Sequence, residues 1–514
     1  MTRGRPALST ATKIFAIAWI VYTLHFATDI VREHYPAFSL AERGTLRVDP
    51  YLGLHPDLFE MEGRGAFINN NPGASLVGAV PYAVVRPLVD RVVEPIVARR
   101  ANAEPPAFDD PRPNRRAFFE KTFRRGLDVR FGLAAGAIQA LGFAPLAAAM
   151  VVVLHGLLLR MGFARRASAE LALLYAFATP LFFRAAFLNH NLLVAHATLA
   201  CFALLWSDGG ITTRPVRLAL AGFATGFGLL CDYAGAVPVV VLGLYALERL
   251  VRALPLPSAL ARMAAMVGGA CVPVGALLAY QAWAFGNPFL PAQHYMPATQ
   301  YSGEGWNGFD WPALDLLAEN LFDRRFGLFA FGPLLLLAFA RPLVRRARVR
   351  RPEIALAYGL FVALLVFTSA NQFARLQWNT GFRMLAPVVP LLFVALADVW
   401  VALPRRVALA LGALATAHAW CIAMVRADAL ASVETVLRDG PRLPWLTSIW
   451  RAGGTYLPLP AGVEAGPALL ALPFLALGAA LVALVATRAT RDDAMPRVAP
   501  AAAALAAGTD DRSR

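Results

Sequence analysis

Long apolar runs recur along this chain, and polar stretches separate them. The runs lie at about residues 12–30, 131–159, 168–184, 191–207, 218–233, 235–251, 263–284, 327–340, 354–370, 384–403, 407–425 and 468–487. A helix of about 20 apolar residues is long enough to cross the hydrocarbon core of a bilayer. The pattern therefore predicts an all-α polytopic membrane protein with roughly a dozen transmembrane helices.

One further apolar segment, residues 73–89, allows two interpretations. It contains Pro81 and Arg86 and its uninterrupted apolar part is short, so it either crosses the membrane or lies at the interface. The Arg-rich connections all fall on one side of the membrane in this assignment: 160–166, 341–351, 405–406 and 488–491. They share that side with the basic N-terminus only if residues 73–89 do not cross. The positive-inside rule therefore favours a juxtamembrane helix and a cytoplasmic N-terminus.

This topology predicts one transmembrane domain over residues 1–490 and a disordered cytoplasmic tail over residues 491–514. The polar loops on the outer face are 31–130, 285–326, 371–383 and 426–467. Long loops inside a compact protein usually carry function, and the cytoplasmic loops here are short. We therefore expect the working face to be the periplasmic or extracellular face of a bacterial inner (plasma) membrane.

Composition agrees with a membrane protein and argues against other classes. Hydrophobic residues make up 58% of the 514 residues and charged residues 16%, which leaves too little polar surface for a soluble domain. The net charge of +15 comes mainly from short loops between apolar runs. Because no basic patch is interleaved with exposed aromatics, nucleic acid is not an expected partner, whereas membrane lipids are.

Two carboxylates, Asp29 and Glu33, follow the first apolar run. On a continuing helix they share a face near the membrane surface. An ionisable group in that place is a candidate functional group, and a carboxylate there is able to act as general base on an acceptor hydroxyl. The alternative, which the spacing supports equally, is an ordinary polar helix end that anchors the span.

Three arginines stand at the outer entrances of apolar runs: Arg324, Arg325 and Arg383. Guanidinium groups match phosphate oxygens, so together they would suit a lipid phosphate. For any one of them, snorkelling to lipid headgroups is the simpler explanation.

Other outer residues are candidates for contacting a polar substrate. Asn71 lies in a turn before the juxtamembrane segment, His190 at a helix junction, and Trp378 in the short loop 371–383. The outer histidines show no metal-ligand spacing, so no residue is assigned to a metal.

Taken in order, several stretches resemble the GT-C superfamily of membrane glycosyltransferases. The closest likeness is to the bacterial branch that is similar to protein O-mannosyltransferases and aminoarabinose transferases, and it runs over about residues 12–400. The stretches are the acidic loop ending in ERGTLRVD, then NNPGASLVGAVPYAV, TPLFFRAAFLNHNLL, AFGNPF followed by RRFGLFAFGP, and WNTGFRMLAPVVP.

The resemblance implies an inverting transfer of a sugar from a polyprenyl-phosphate carrier to an acceptor hydroxyl at the outer face. It implies that Asp29 or Glu33 is the base and that basic residues such as Arg325 and Arg383 hold the carrier phosphate. The chain departs from the pattern because its two acids are not adjacent and because Asn71 stands where a lysine is often found. A lipid, a polysaccharide and a protein are all acceptors in keeping with the resemblance, and a divalent metal is a possible cofactor.

A different class, a transporter or flippase of lipid-linked sugar, is the main alternative. Such proteins often contain internal repeats and ionisable residues near the midplane of the membrane. This chain shows no convincing repeat, and its polar residues are concentrated in the outer loops. An envelope scaffold protein without activity is a third interpretation, which predicts no sensitivity to loss of either carboxylate.

Overall fold

A computed structural model describes residues 7–105, 113–208, 210–450 and 468–489, and leaves out the side chains of 113–118, 448–450 and 468–469. The predicted cytoplasmic tail, residues 491–514, lies outside the described residues, as do residues 451–467 of the last outer loop.

The described part of the chain is mainly helical. Its α-helices are α1 (Thr10–Leu24), α2 (His34–Arg43), α3 (Gly73–Ala101), α4 (Pro113–Arg124), α5 (Leu127–Ile138), α6 (Ala144–Arg160), α7 (Arg165–Phe177), α8 (Leu181–Arg184), α9 (His190–Leu205), α10 (Pro215–Cys231), α11 (Ala236–Ala253), α12 (Leu256–Phe285), α13 (Leu314–Phe322), α14 (Leu328–Phe331), α15 (Arg351–Ala370), α16 (Val389–Ala402), α17 (Arg405–Val425), α18 (Ala429–Asp439), α19 (Pro444–Trp450) and α20 (Leu472–Thr487). A π-helical turn, Gln139–Phe143, joins α5 to α6. The 3-10 helices are Asp49–Tyr51, Tyr233–Gly235, Ala292–His294, Pro333–Leu343, Gln372–Asn379, Ala386–Val388 and Ala468–Ala471.

Several helical stretches of the described residues are long and apolar enough to cross a membrane: Leu127–Arg160, Tyr233–Ala253, Leu256–Phe285, Arg351–Ala370 and Arg405–Val425. Shorter apolar helices accompany them: Thr10–Leu24, His190–Leu205, Pro215–Cys231, Pro333–Leu343, Ala386–Ala402 and Leu472–Thr487. Every apolar run predicted from the sequence coincides with at least one of these helices, except the run 168–184, which corresponds to α7 and α8. The predicted fold class, an all-α polytopic membrane protein, is confirmed.

Helices α10 and α12 approach each other closely because both carry glycines at their contact. A Cβ atom at Gly222 would overlap the backbone of Met266, and one at Gly269 would overlap the backbone of Ala219. Small residues of this kind let helix backbones pack tightly inside a membrane, where apolar side chains gain nothing by leaving the lipid. The contact fixes α10, whose C-terminal end is followed by Asp232, one of the residues of the polar site.

The first outer loop is folded. Strands β1 (Leu58–Met61) and β2 (Gly65–Ile68) form an antiparallel hairpin in which Leu58 pairs with Ile68. The predicted juxtamembrane segment 73–89 is the first part of α3, which packs against α2 and α5. A second, two-residue pair, β3 (Trp206–Ser207) and β4 (Gly210–Ile211), closes the turn between α9 and α10.

The expected extension of the first span to residue 30 is wrong. Helix α1 ends at Leu24, and no regular helix is present from His25 to Arg32. The His25 side chain bonds the carbonyl of Val21 through Nδ1 at 2.9 Å, and the N–H of Ala27 donates to the carbonyl of Ala186 at 2.7 Å. These contacts draw the chain away from the helix axis. Asp29 and Glu33 therefore do not share a helix face.

Candidate functional site

Glu33 is the centre of a buried polar cluster at one end of the helices, the end that the sequence predicts to be the outer one. It lies just before α2, and only 2% of its side chain is exposed. Its Oε1 atom accepts hydrogen bonds from Asn70 Nδ2 at 2.9 Å and Arg32 Nε at 3.2 Å, and it contacts His190 Nδ1. Among the described residues no group donates to Oε2. One carboxylate oxygen is thus fixed and the other is free.

The hairpin of the predicted first outer loop positions two partners of Glu33, Arg32 and Asn70. Asp57 precedes β1 and Asn69 follows β2, so the pairing of the strands brings the two residues together. Arg32 Nη1 bridges them, at 2.9 Å from Asp57 Oδ2 and 2.8 Å from Asn69 Oδ1. The following residue, Asn70, is thereby placed against Glu33.

His190 connects Glu33 to a second carboxylate. Helix α9 begins at His190 because Asn189 caps it, with its Oδ1 accepting from the N–H of Leu192 at 2.9 Å. The Nε2 atom of His190 lies 2.9 Å from Asp232 Oδ2. Asp232 ends α10, and its other oxygen accepts from the N–H of Ala234 at 2.7 Å. The result is a carboxylate–imidazole–carboxylate chain whose members come from separate elements.

Three arginines adjoin this chain. Arg426 is paired with Asp29, at 3.2 Å from Nε to Oδ2, and lies over the ring of Phe183. Arg184 is buried and makes only long contacts, at 3.4 Å to Asn191 Oδ1 and 3.4 Å to the carbonyl of Thr380.

Arg383 is half-buried and forms no ion pair with a carboxylate in the described part of the chain. The buried Nε atoms of Arg184 and Arg383 both lack a hydrogen-bond partner. The charges of Arg383 and Arg426 act on Arg184, and those of Arg32 and Glu33 act on Arg383. Arg383 therefore lies within electrostatic range of Arg184 and of the carboxylates Glu33, Asp57 and Asp232.

Electrostatics keep Glu33 ionised. Burial alone would raise the pKa of its carboxyl, but the positive charges of His190 and Arg32 and the hydrogen bonds from His190 and Asn70 hold the pKa well below its usual range. Glu33 is a carboxylate at neutral pH.

The surroundings of Arg383, unlike those of Glu33, disfavour the charged form of the side chain. Burial, followed by repulsion from Arg32, lowers the pKa of its guanidinium to about 10, although Asp57, Asp232 and Glu33 act in the other direction. A bound anion would favour the charged guanidinium and raise its pKa again.

The structure brings some of the predicted residues together. Glu33, His190 and Arg383 belong to one cluster, and Asn71 lies beside it, with its Nδ2 donating to the carbonyl of Leu229 at 2.7 Å and its Oδ1 buried without a partner. Asp29 has a half-exposed side chain and contacts Arg426.

Other predicted residues lie apart from the cluster. Arg325 forms an ion pair with Asp323 at 2.7 Å, and Arg324 is 70% exposed at 4.0 Å from Asp428. Trp378 is 57% exposed on the 3-10 helix Gln372–Asn379. Among the described residues, no polar contact joins these side chains to Glu33.

The sequence interpretation missed several members of the cluster: Arg32, Asp57, Arg184, Asp232 and Arg426. Two of them carried a usable signal, because Asp232 and Arg184 lie inside predicted spans, where an ionisable residue is a functional candidate. Arg32 and Asp57 meet only through the hairpin, which the sequence pattern did not predict.

Metal binding has no support from the described side chains. No group of three or more His, Cys, Asp and Glu residues among them is arranged to hold a metal ion. Each ring nitrogen of His190 already faces a carboxylate.

Comparison with known proteins gives one structural likeness. No family model matches the chain, and no curated protein matches it. The chain is similar in structure to ArnT from Cupriavidus metallidurans, whose crystal structure was determined with bound undecaprenyl phosphate. The identity is 15% and the TM-score 0.45, over 92% of this chain and 75% of that one. A likeness of this degree assigns no activity, so the proposal below rests on the site itself.

Proposed function

We propose that this protein is a glycosyltransferase that moves a sugar from a polyprenyl-phosphate carrier to an acceptor hydroxyl at the outer face of the membrane. One observation carries the proposal: Glu33, an ionised carboxylate with a free oxygen, acts electrostatically on two arginines, Arg184 and Arg383, that form no ion pair with a carboxylate among the described residues. Such a site has a proton acceptor on one side and a place for a phosphate on the other.

The reaction that suits this arrangement is a single displacement. The acceptor oxygen forms a bond to the anomeric carbon while the bond from that carbon to the phosphate oxygen breaks. The hydroxyl proton passes to Glu33 Oε2, and the electron pair of the broken bond leaves with the phosphate. Because the pKa of Glu33 is low, it takes the proton late, when the attacking oxygen has already gained positive character.

The arginines stabilise the leaving group. Guanidinium groups fixed in a buried site oppose the charge that develops on the phosphate, and they need no reorganisation during the reaction. In this proposal Arg184 and Arg383, which form no ion pair with a carboxylate in the described part of the chain, hold the carrier phosphate. Arg325 is not given this role because Asp323 already neutralises it.

The proposal includes a location. In this proposal the polar cluster, built from the loop 31–130, the start of α9 and the end of α10, faces the outer side of a bacterial inner membrane, and the distribution of basic loops supports this orientation. A lipid, a polysaccharide and a protein are all compatible acceptors, because the chemistry requires only a hydroxyl group.

A transfer assay with matched carboxylate variants tests the proposal. Purified protein in liposomes is incubated with a panel of radiolabelled polyprenyl-phosphate sugars and a membrane extract as acceptor source. We expect Glu33→Gln to lower kcat about 100-fold or more, the usual loss when a positioned base is removed. Asp29→Asn is expected to cost less than about tenfold, since Asp29 contacts Arg426 rather than Glu33.

Glu434→Gln, on the exposed face of α18, is the matched control and should leave the rate unchanged. A wild-type rate in Glu33→Gln, with loss in Asp29→Asn, would move the base to Asp29. Wild-type rates in both variants would contradict the mechanism.

A further inference from the structure

The Glu33 carboxylate depends on two residues for which the reaction itself has no direct use. We propose, on the basis of the function proposed above, that His190 and Asp232 are a positioning pair that keeps Glu33 charged and holds its free oxygen in place for the acceptor. Neither residue touches the reacting atoms in this account. The pair acts through Glu33 alone.

The hydrogen-bond chemistry of the imidazole ring carries the first step. His190 faces a carboxylate at each nitrogen: Glu33 Oε1 at Nδ1 and Asp232 Oδ2, at 2.9 Å, at Nε2. A neutral imidazole has one N–H and one lone pair, and the lone pair would face a carboxylate oxygen unfavourably. Only the imidazolium, with an N–H on both nitrogens, satisfies both neighbours. His190 is therefore a buried cation with no nitrogen left for substrate.

Asp232 is what makes this cation stable in a buried place. One carboxylate balances one positive charge, and Glu33 already faces two positive groups, Arg32 and His190. Asp232 supplies the second negative charge and is itself held by the N–H of Ala234. Without Asp232, the ring would more readily lose its proton, and Glu33 would lose its nearest counter-charge.

The same contacts restrict the geometry of Glu33. His190, Arg32 and Asn70 all contact Oε1, and the Glu33 carbonyl accepts from Ser75 Oγ at 2.8 Å. A carboxylate fixed at one oxygen has little rotational freedom at the other. Catalytic groups are effective when neighbouring residues hold them close to the productive geometry.

Other charged or titratable groups also act on this chain and limit the size of the effect. The groups around Glu33 are Arg32 beside it in sequence, His34 on α2, His55 before β1, Arg184 on α8, Cys231 at the end of α10 and Arg383 before α16. Arg32 and Arg383 also act on Asp232. Because Arg32 remains when Asp232 is neutralised, the account predicts a partial rise in the pKa of Glu33, and not a return to the value of an isolated buried acid.

The test is the pH dependence of kcat/KM in Asp232→Asn, measured with a donor that the wild type uses. In the wild type, Glu33 stays ionised at pH values below the usual pKa range of a glutamate side chain. The acid limb of the pH profile should therefore lie below about pH 4.3. We expect the acid limb of Asp232→Asn to move up by about 1 pH unit or more. Without Asp232 the His190 ring loses its proton, and Glu33 then loses the close positive charge of that ring. The donor KM at pH 8 should change less than about twofold, because Asp232 does not touch the phosphate.

Two variants serve as controls. Asp232→Glu restores the carboxylate and should return the limb most of the way to its wild-type position. Asp439→Asn, on the exposed end of α18, should leave the profile unchanged. If Asp232→Asn does not fold, His190→Gln takes its place, and the same upward shift is expected.

The outcomes separate the pair from the proposed function. An active wild type with an unshifted limb in a folded variant overturns the positioning role and leaves the transferase intact. A raised donor KM with an unshifted limb assigns Asp232 to substrate binding and also overturns the pair. Absence of transfer by the wild type with every donor and acceptor removes both proposals together.

Discussion

Asp29 and Glu33 lie four positions apart in the sequence but have different surroundings. Half of the Asp29 side chain is exposed and it meets Arg426, whereas Glu33 is buried and its Oε1 is shared by three donors. From the sequence the two residues were equal candidates for the base. Their separation depends on the end of α1 at Leu24, which is decided by contacts to residues far along the chain such as Ala186. Sequence spacing therefore named both residues and had no means of choosing between them.

One prediction at the scale of single residues concerns donor binding by Arg383. Its guanidinium forms no ion pair in the described structure and its Nε atom has no hydrogen-bond partner, and in the proposed function the donor phosphate is its counter-ion. Arg383→Gln should raise the donor KM about tenfold or more, the usual effect of losing a charge-assisted hydrogen bond. Arg325→Gln, at an arginine already paired with Asp323, is the control and should change the KM little.

The pH dependence follows from the same residue. Because the pKa of Arg383 is lowered to about 10, the free protein loses this charge as the pH rises through that value, and donor binding should weaken there. Initial rates across a range of donor concentrations, at pH 7 to 10.5, measure both effects. An unchanged KM in Arg383→Gln would rule out Arg383 as a phosphate ligand.

At the scale of elements, the apolar runs were predictable because the bilayer imposes one requirement on every span. Each run coincides with at least one helix, and α3 is not among the described helices that are long and apolar enough to cross a membrane. The hairpin β1–β2 was not predicted, because strands of four residues carry little alternation to read. Because the hairpin was not predicted, the contact between Arg32 and Asp57 was not predicted either.

The packing of α10 on α12 gives a prediction about stability. Gly222→Ala adds a Cβ that would overlap the backbone of Met266, so the helices must separate. Overpacking of this kind typically costs about 1–3 kcal/mol, and the melting temperature in detergent should fall. Gly268→Ala, on α12 with open space around the new atom, is the matched control and should not lower it. Equal melting temperatures for the two variants would show that the close contact does not matter.

The whole molecule concentrates its polar cluster at one end of the helices. The basic loops lie at the other end, around residues 341–351 and 405–406. This division is what the positive-inside rule uses, and the predicted orientation rests on it. The site could not be predicted to the same degree, because Glu33, His190, Asp232 and Arg383 come from four separate stretches of sequence whose meeting depends on the packing of the helices.

Labelling from outside the cell tests this orientation. Single cysteines are placed at Ser302 and at Arg346, in a chain whose four native cysteines are replaced by serine. We expect a membrane-impermeant maleimide to label Ser302→Cys in spheroplasts, and Arg346→Cys only after lysis. The reverse pattern would place the polar cluster in the cytoplasm.

The central claim is that the carrier bond is broken at a site that depends on Glu33. Its most direct test is to follow the carrier and the sugar in one reaction, with a donor labelled in both parts and the protein in liposomes. The account predicts that the wild type forms free polyprenyl phosphate and glycosylated acceptor in equal amounts, and that Glu33→Gln forms neither. Movement of intact donor across the bilayer, without release of the carrier phosphate, would contradict it and identify a flippase.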